Sequence, residues 1–317
     1  MMQRLVQNNL PYIQLEMQNR MRPDIAELLK DIYPNLLSNH GRVDSIELPV
    51  TLTHSSIFWT HKEEEKGDRS ANNPTEAEMA LSLATLLVTY GAEPREITIL
   101  CAYLGQTSLV KILMQSYLTK YKVLNKTPFI ISTVDNYQGD ENKIVIVSLV
   151  RGNPKGTVGF LKDLPRRCVA QSRAKSCVIF IGNELTIRKA DCWDVLMDKV
   201  QHLGPQVYIS CPLHPVNQLS LDSVKKIQNL LETPSELCTV RCGNLHLCLN
   251  KNHACKLPCQ PRHEHTKCRI EVCYVCPDCG RDVTKRCYEE DPQCMEVIDF
   301  VYPRCGHPDK RYTLKLK

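Results

Sequence analysis

The sequence predicts an α/β fold: a parallel sheet with helices on both faces, followed by an irregular region rich in cysteine and histidine. Two observations carry this. Up to about residue 205, short Ile/Val runs alternate with longer helical segments. Strands that are apolar throughout are those buried on both faces, as in a parallel sheet. From residue 238 the periodicity stops, and 12 of the 17 cysteines fall between Cys238 and Cys305. Such a stretch builds almost no core without cross-links or metal.

The elements follow in order. Pro23 opens a helix over PDIAELLKDIY and Pro34 ends it. SSIFWT (55–60) is a strand, followed by a charged loop, HKEEEKGDRSANN, expected to be mobile. PTEAEMALSLATLLVTYG (74–91) is a helix with Pro first and Gly last. EITILCAY (96–103) is a strand and GQTSLVKILMQSYLTKY a helix. FIISTV (129–134) and KIVIVSLV (143–150) are strands. The Gly-rich loop RGNPKGTVGF leads to a helix over DLPRRCVAQSRAK, a strand CVIFIGN (177–183) and a closing helix CWDVLMDKVQHLG (192–204). Ligands of such folds bind at the carboxyl ends of strands, which is where CAYLGQ and DNYQGDE are expected. Residues 206–237 read as a connector with one amphipathic helix, LDSVKKIQNLL.

A chain of 317 residues accommodates two domains, and 43% hydrophobic with 24% charged residues is a globular composition. The net charge is +5, and most of it lies in 238–317, where 14 Lys/Arg face 10 Asp/Glu. A mildly basic tail points only weakly to nucleic acid or an acidic partner, and on charge alone a solvated surface is the plainer reading. The N-terminus, MMQRLVQNNLPYIQ, has no continuous apolar core, so no export is expected. Apolar runs stop near eight residues, short of the roughly 20 that a membrane helix needs. The expectation is an intracellular protein without membrane insertion. In a reducing compartment clustered cysteines bind metal rather than pair as disulfides. Cys101, Cys168, Cys177, Cys192 and Cys211 lie apart from the cluster and read as small buried residues.

Three polar motifs lie on the predicted sheet: QNRMRP (18–23), TVDNYQGDE (133–141) and VAQSRAKS (169–176). Singly, each has a plain reading as a helix start, an acidic turn or surface charge. Their order and spacing, together with NPTEA (73–77) and CAYLGQ (101–106), resemble the second RecA-like domain of superfamily 1 helicases of the Upf-like group. The resemblance covers about 1–190, within an expected domain of 1–205. It implies a RecA-like sheet and an ATP-dependent RNA helicase. It implies that Arg20 and Arg173 reach the γ-phosphate as catalytic arginines, a role suited to a planar, permanently charged group. It places Gln18, Gly139 and Glu141 on the nucleotide, and Tyr103, Gln106 and Thr133 on the RNA strand. A motor that tracks a single strand contacts phosphate and sugar. Asn19 departs from the family's usual aromatic residue, and Cys168 and Gln171 from its Asn and Leu.

No glycine in the chain is followed by lysine, so the phosphate cradle G-x-x-x-x-G-K-[ST] is absent from it. The expectation is half of an ATPase site: ATP and magnesium are engaged only with a first RecA-like domain, and the chain alone is inactive.

The second constellation is Cys238, Cys242, His246, Cys248, His253, Cys255, Cys259, His263, His265 and Cys268, then Cys273, Cys276, Cys279 and Cys287. Zinc takes four N/S ligands in tight local pairs, so these are candidate zinc ligands. The cadence CGNLHLC, CKLPC, CGH resembles NFX-type zinc fingers over about 238–307, within an expected region of 238–317, with the ligand partnering left open. The two halves together resemble the NFX-type zinc-finger-containing helicases. That resemblance implies roles in RNA surveillance, small-RNA pathways or innate antiviral defence, in the cytoplasm with RNA granules and nucleus as alternatives. It also allows double-stranded RNA as a ligand and protein partners at the zinc region. Two other readings stand beside the motor: a non-catalytic, zinc-dependent RNA or protein scaffold, and a ring-like ubiquitin ligase built on CYVCPDC.

Overall fold

Five of the apolar runs and the short segment His202–Gly204 pair into one sheet. The computed structural model describes residues 8–13, 15–49, 51–67, 70–240, 253, 259, 270–275, 280, 282–288, 297–301 and 304–312. The strands are β1 (Ser56–Thr60), β2 (Ile97–Cys101), β3 (Ile130–Thr133), β4 (Asn142–Ser148), β5 (Ala174–Gly182) and β6 (His202–Gly204). They lie in the order β3-β2-β4-β5-β1-β6, and every pairing is parallel. This is the α/β, RecA-like arrangement expected from the sequence.

Side chains alternate across a strand, so each strand feeds two cores. Phe58, Leu100, Val145, Val147, Val178 and Phe180 pack on one face with Ile25 of α1 (Pro23–Glu27), Ala170 of α4 (Leu164–Gln171) and Trp193 of α5 (Asp191–Met197). The opposite face is covered by α2 (Pro74–Thr89), which packs against β4 and β5. The Asn73 side chain accepts the Glu76 N–H at 3.2 Å and Pro74 fills the first turn, which fixes where α2 begins. Its outer side packs on α3 (Leu104–Lys120) and α6 (Val224–Glu232), so α2 is buried almost all round.

The structure differs from the sequence reading in several places. The helix expected over 23–33 spans only Pro23–Glu27, and the one expected over DLPRRCVAQSRAK ends at Gln171, with Ala174 and Lys175 in β5. The expected helix over 192–204 stops at Met197, and His202–Gly204 joins the sheet edge opposite Ile57–Trp59. The open edge of β1 offers ladder hydrogen bonds that a polar, weakly periodic segment takes in place of another helical turn. The charged loop after β1 is tied down among the described residues. Lys66 and Asn72 exchange backbone hydrogen bonds at 2.7 and 2.9 Å, and Glu65 pairs with Arg151 at 3.0 Å. The connector is itself folded. Val207–Ser210 and Gln218–Leu221 form an antiparallel hairpin, Ser210 N–H donates to Thr51 C=O at 2.8 Å, and Tyr90 Oη donates to Pro234 C=O at 2.9 Å. It belongs to the first of two units, 1–238.

In the second unit, 239–317, the described residues form two antiparallel hairpins, Glu271–Val275 with Asp282–Arg286 and Val297–Val301 with Pro308–Tyr312. Among the described residues no helix is long and apolar enough to cross a membrane.

Candidate functional site

At the amino end of the sheet, β4 begins at Asn142 opposite Ala174 of β5. The segments just before these strands bring Glu141 beside Arg173. The QNRM loop docks onto the same edge through Arg22 N–H to Lys175 C=O, 3.0 Å. Gln18 shapes that loop from within. Its Oε1 accepts the N–H of Arg20 (2.9 Å) and Met21 (2.8 Å), and its Nε2 donates to Met21 C=O and Ser38 Oγ, both at 2.8 Å. Gln18 thus positions Arg20 in this structure. Arg20 forms an ion pair with Glu141 and donates to Ser172 C=O at 3.0 Å. Lys175 Nζ meets the other oxygen of Glu141 at 2.7 Å. Hydrogen bonding from Lys175, with Arg20 adding to it, holds the Glu141 carboxyl below the usual glutamate range against a small cost of burial. Asn19 accepts a hydrogen bond from Asn39 at 2.8 Å.

Arg173 is half-buried, and its guanidinium donates to Val169 C=O and Asp140 C=O, both at 3.2 Å, and to Ser172 Oγ at 2.8 Å. Burial, and then the neighbouring Arg20 cation, lower its pKa. Two guanidiniums and an ammonium gather near the Glu141 carboxylate, a concentration of positive charge that suits a polyanion. Gly139, next to Asp140, has φ +100°, and a Cβ there meets nothing within 4 Å. The backbone conformation requires glycine, and its outer side is open.

The DNYQGDE turn was expected at the carboxyl ends of the strands, and only its first part lies there. Thr133 ends β3 opposite Cys101, and Val134 N–H still donates to Cys101 C=O at 3.1 Å. Glu141 lies at the amino end, because Asn142 N–H donates to Arg173 C=O at 3.0 Å. The seven residues of β4 separate these ends by about 20 Å. Residues 134–141 therefore run the length of the sheet. Tyr137 clamps them midway, with its buried ring and its hydroxyl 3.0 Å from Thr98 Oγ1. The next parallel strand of the sheet, β4 beyond β2, has to start again at the amino end, so the chain makes this return, and here it does so without a helix of more than one turn.

At the carboxyl end, Tyr103 caps α3. Its ring lies 5.7 Å from the Arg151 guanidinium and 6.0 Å from the ring of Phe160, which is exposed. Burial pushes the Tyr103 hydroxyl pKa up. Gly159, at φ +64°, passes so close that a Cβ would sit 2.6 Å from Tyr103 Oη. Arg166 lies 4.9 Å from the Phe160 ring and pairs with Asp135 at 2.9 Å. Arg151, Phe160 and Arg166 were not singled out from the sequence. The signal was the alternation of basic, glycine and aromatic residues in RGNPKGTVGF and the arginines after it. Thr133 Oγ1 accepts Asn136 N–H at 3.2 Å and marks the same end.

Gln106, expected on the RNA strand, is a correction: it is fully buried. Its Oε1 accepts Asn73 N–H at 2.7 Å, and its Nε2 donates to Asn73 C=O and Ser148 Oγ, both at 3.0 Å. A side chain satisfied on every side within the protein presents nothing to a strand, so Gln106 is a positioning residue. The network continues to Glu76, the acid of NPTEA, also fully buried. Glu76 accepts from Ser148 Oγ (2.6 Å) and Val150 N–H (2.8 Å) and lies 2.9 Å from His61 Nε2. Val150 has φ +73°, a costly conformation for a β-branched residue, held here by that hydrogen bond. The next residue is Arg151, so the buried network fixes the loop that carries it.

Cys211 is buried, as read from the sequence, but it is not isolated from the other candidate ligands. Cys211 Sγ, His214 Nδ1 and Cys238 Sγ lie within 4.8 Å of one another. Cys238, whose partners the sequence left open, faces back toward a hairpin loop. Of the other predicted zinc ligands, His253, Cys259, Cys273 and Cys287 are described, with Cys259 buried and Cys273 exposed. Cys242, His246, Cys248, Cys255, His263, His265, Cys268, Cys276 and Cys279 lie outside the described residues.

The sequence pattern of the AAA domain family matches residues 1–185. The chain is 31% identical over 316 residues to mouse (Mus musculus) NFX1-type zinc finger-containing protein 1, an alignment covering 96% of this chain and 16% of that protein. It is 35% identical over 200 residues to the helicase required for RNAi-mediated heterochromatin assembly 1 of Schizosaccharomyces pombe, covering 62% of this chain and 20% of that protein. It is 29% identical over 241 residues to the putative regulator of nonsense transcripts 1 of Takifugu rubripes, covering 73% and 22%. The chain thus spans between about a sixth and a fifth of the length of these relatives. With the motifs in order on a RecA-like sheet and an alignment that runs on into the cysteine-rich region, the chain belongs to the AAA domain family, in the Upf-like group that includes the NFX1-type zinc finger-containing proteins.

Proposed function

We propose that this chain supplies the second RecA-like half of an RNA-dependent ATPase. The observation that carries the reading is the convergence of Arg20, Arg173 and Lys175 around Glu141, at one end of a connection whose other end is Thr133. The donor set fits a nucleotide's phosphates. Arg20 and Arg173 would meet the γ-phosphate, and the open side of Gly139 admits close approach of the backbone. Glu141 would release Arg20 as the phosphate arrives. The gathered residues do not fit magnesium, since the carboxylate among them is held by Arg20 and Lys175. Bound ATP supplies the phosphoryl group to be transferred. The chain's own part is to place positive charge against it and to transmit the outcome along 134–141 to the RNA end. There, Tyr103, Phe160 and the nearby arginines offer stacking and phosphate contact without reading bases. The relatives' names support RNA surveillance and RNA-directed silencing as the setting. An antiviral role and a cytoplasmic location rest on the family resemblance.

The test is RNA-stimulated ATP hydrolysis by the 317-residue chain with and without a P-loop-bearing RecA-like domain fused before residue 1. Activity is expected only in the fusion, with Arg173→Ala lowering kcat by about 10³-fold, the lower end of what an arginine finger contributes. Robust hydrolysis by the chain alone, or a fully active Arg173→Ala fusion, would overturn the reading.

A further inference from the structure

We propose that Cys211, His214 and Cys238 hold a zinc ion that fastens the hairpin after the sheet to the end of the first unit. Cys211 directly follows the strand Val207–Ser210, and His214 lies in the turn that leads to Gln218–Leu221. The turn is closed by Cys211 N–H to Asn217 C=O (3.0 Å), His214 N–H to Cys211 C=O (3.3 Å) and Asn217 N–H to His214 C=O (2.9 Å). Cys238 arrives from the other side, after α6 and a short 3-10 turn, Pro234–Leu237. Both cysteines are buried, at 3% and 2% exposure, so water competes poorly for the position between them.

The distances are those of a coordination sphere. Zn–S bonds of about 2.3 Å and Zn–N bonds of about 2.0 Å at tetrahedral angles put sulfur and nitrogen about 3.5 Å apart. The structure has 3.7 Å from Cys211 Sγ to His214 Nδ1 and 3.3 Å from Cys238 Sγ to the same atom. Hydrogen bonding alone accounts poorly for this, because one ring nitrogen carries at most one hydrogen and two sulfurs approach it. The Asn217 side-chain amide also donates to Cys238 Sγ at 3.1 Å, which asks that sulfur to act as an acceptor. A metal-bound thiolate meets that requirement, and such outer hydrogen bonds are what orient ligands. Two thiolates and an imidazole select zinc over the oxygen-seeking magnesium and calcium. The three donors fill all but one of the four positions zinc takes. The assignment is independent of the ATPase reading.

The experiment uses the full chain and zinc itself as the probe. Metal content by mass spectrometry should fall by one zinc per chain in Cys211→Ser and in His214→Ala, whereas His214→Cys should retain it. After cobalt substitution, His214→Cys should strengthen the thiolate-to-cobalt absorption. A second measurement does not depend on any variant folding. In the wild-type chain, a chelator should open Cys211 to alkylation while Cys101 and Cys177, buried in the sheet, stay protected. Unchanged zinc content in both the Ser and Ala variants, Cys211 protected despite complete chelation, or an intact mass showing a Cys211–Cys238 disulfide would each overturn the proposal.

Discussion

Replacing Gln106 with alanine separates a residue that touches RNA from one that positions the site. In the structure its amide makes three buried hydrogen bonds, to Asn73 N–H, Asn73 C=O and Ser148 Oγ. These losses are unequal. Asn73 C=O keeps the α2 hydrogen bond from Ala77 N–H (3.1 Å), and Ser148 Oγ keeps Glu76, so each of these losses costs about 0.5 kcal/mol, at the low end for a buried bond. Asn73 N–H is left buried without a partner, which costs about 2 kcal/mol. The sum is about 3 kcal/mol, or a fall in Tm of roughly 9 °C for a unit of this size. Thermal unfolding followed by circular dichroism reads the stability, and an RNA titration well below the new Tm reads the affinity. The expected outcome is a large Tm shift with RNA affinity changed only as far as the Arg151 loop loosens. A variant of unchanged Tm that binds RNA tenfold more weakly would refute the reasoning and return Gln106 to the strand-contacting role read from the sequence.

The remaining predictions concern the same unit. Gln171 is fully buried, donates to Leu28 C=O at a long 3.4 Å, and its Oε1 has no hydrogen-bond partner. Gln171→Leu should therefore stabilise by about 1 kcal/mol in a denaturant melt, and destabilisation would contradict that account. Gly139→Ala should cost about 1–2 kcal/mol through backbone strain alone, since the space beside it is open, and an unchanged melt would show that the loop relaxes to negative φ. Glu141 has its folded pKa depressed. Its ion pairs thus add stability above the ordinary glutamate value of about 4.3, and the gain is lost as pH falls through the lower folded value. Following the carboxyl by NMR, Lys175→Ala should move its midpoint up toward the ordinary value, and no movement would mean that Lys175 does not hold it.

Much of this was legible in the sequence because it is a matter of local pattern. Runs such as KIVIVSLV and CVIFIGN read directly as strands buried on both faces, and Asn73-Pro74 as a helix start. The motif order QNRMRP, TVDNYQGDE, VAQSRAKS identified the family, since spacing along the chain is a sequence property. The lack of a glycine-lysine pair was equally plain. Which end of the sheet each side chain occupies was not. One nine-residue motif, Thr133 to Glu141, spans both ends, because a parallel strand must begin again at the amino edge and the chain has to return there. Nor could one sequence show that Gln106 points inward: a polar residue after a strand reads as exposed until helix α2 is seen closing over it. His202–Gly204 became a strand only because β1 offered an open edge. Cys211 read as an isolated buried thiol, separated from Cys238 by a hairpin, a helix and a turn. Tertiary structure alone set that cysteine, His214 and Cys238 around a common point, because the hairpin and α6 both pack back onto the sheet domain. The sequence by itself determined the fold class, the family and the ligand-capable residue types. Folding decided which of those residues meet.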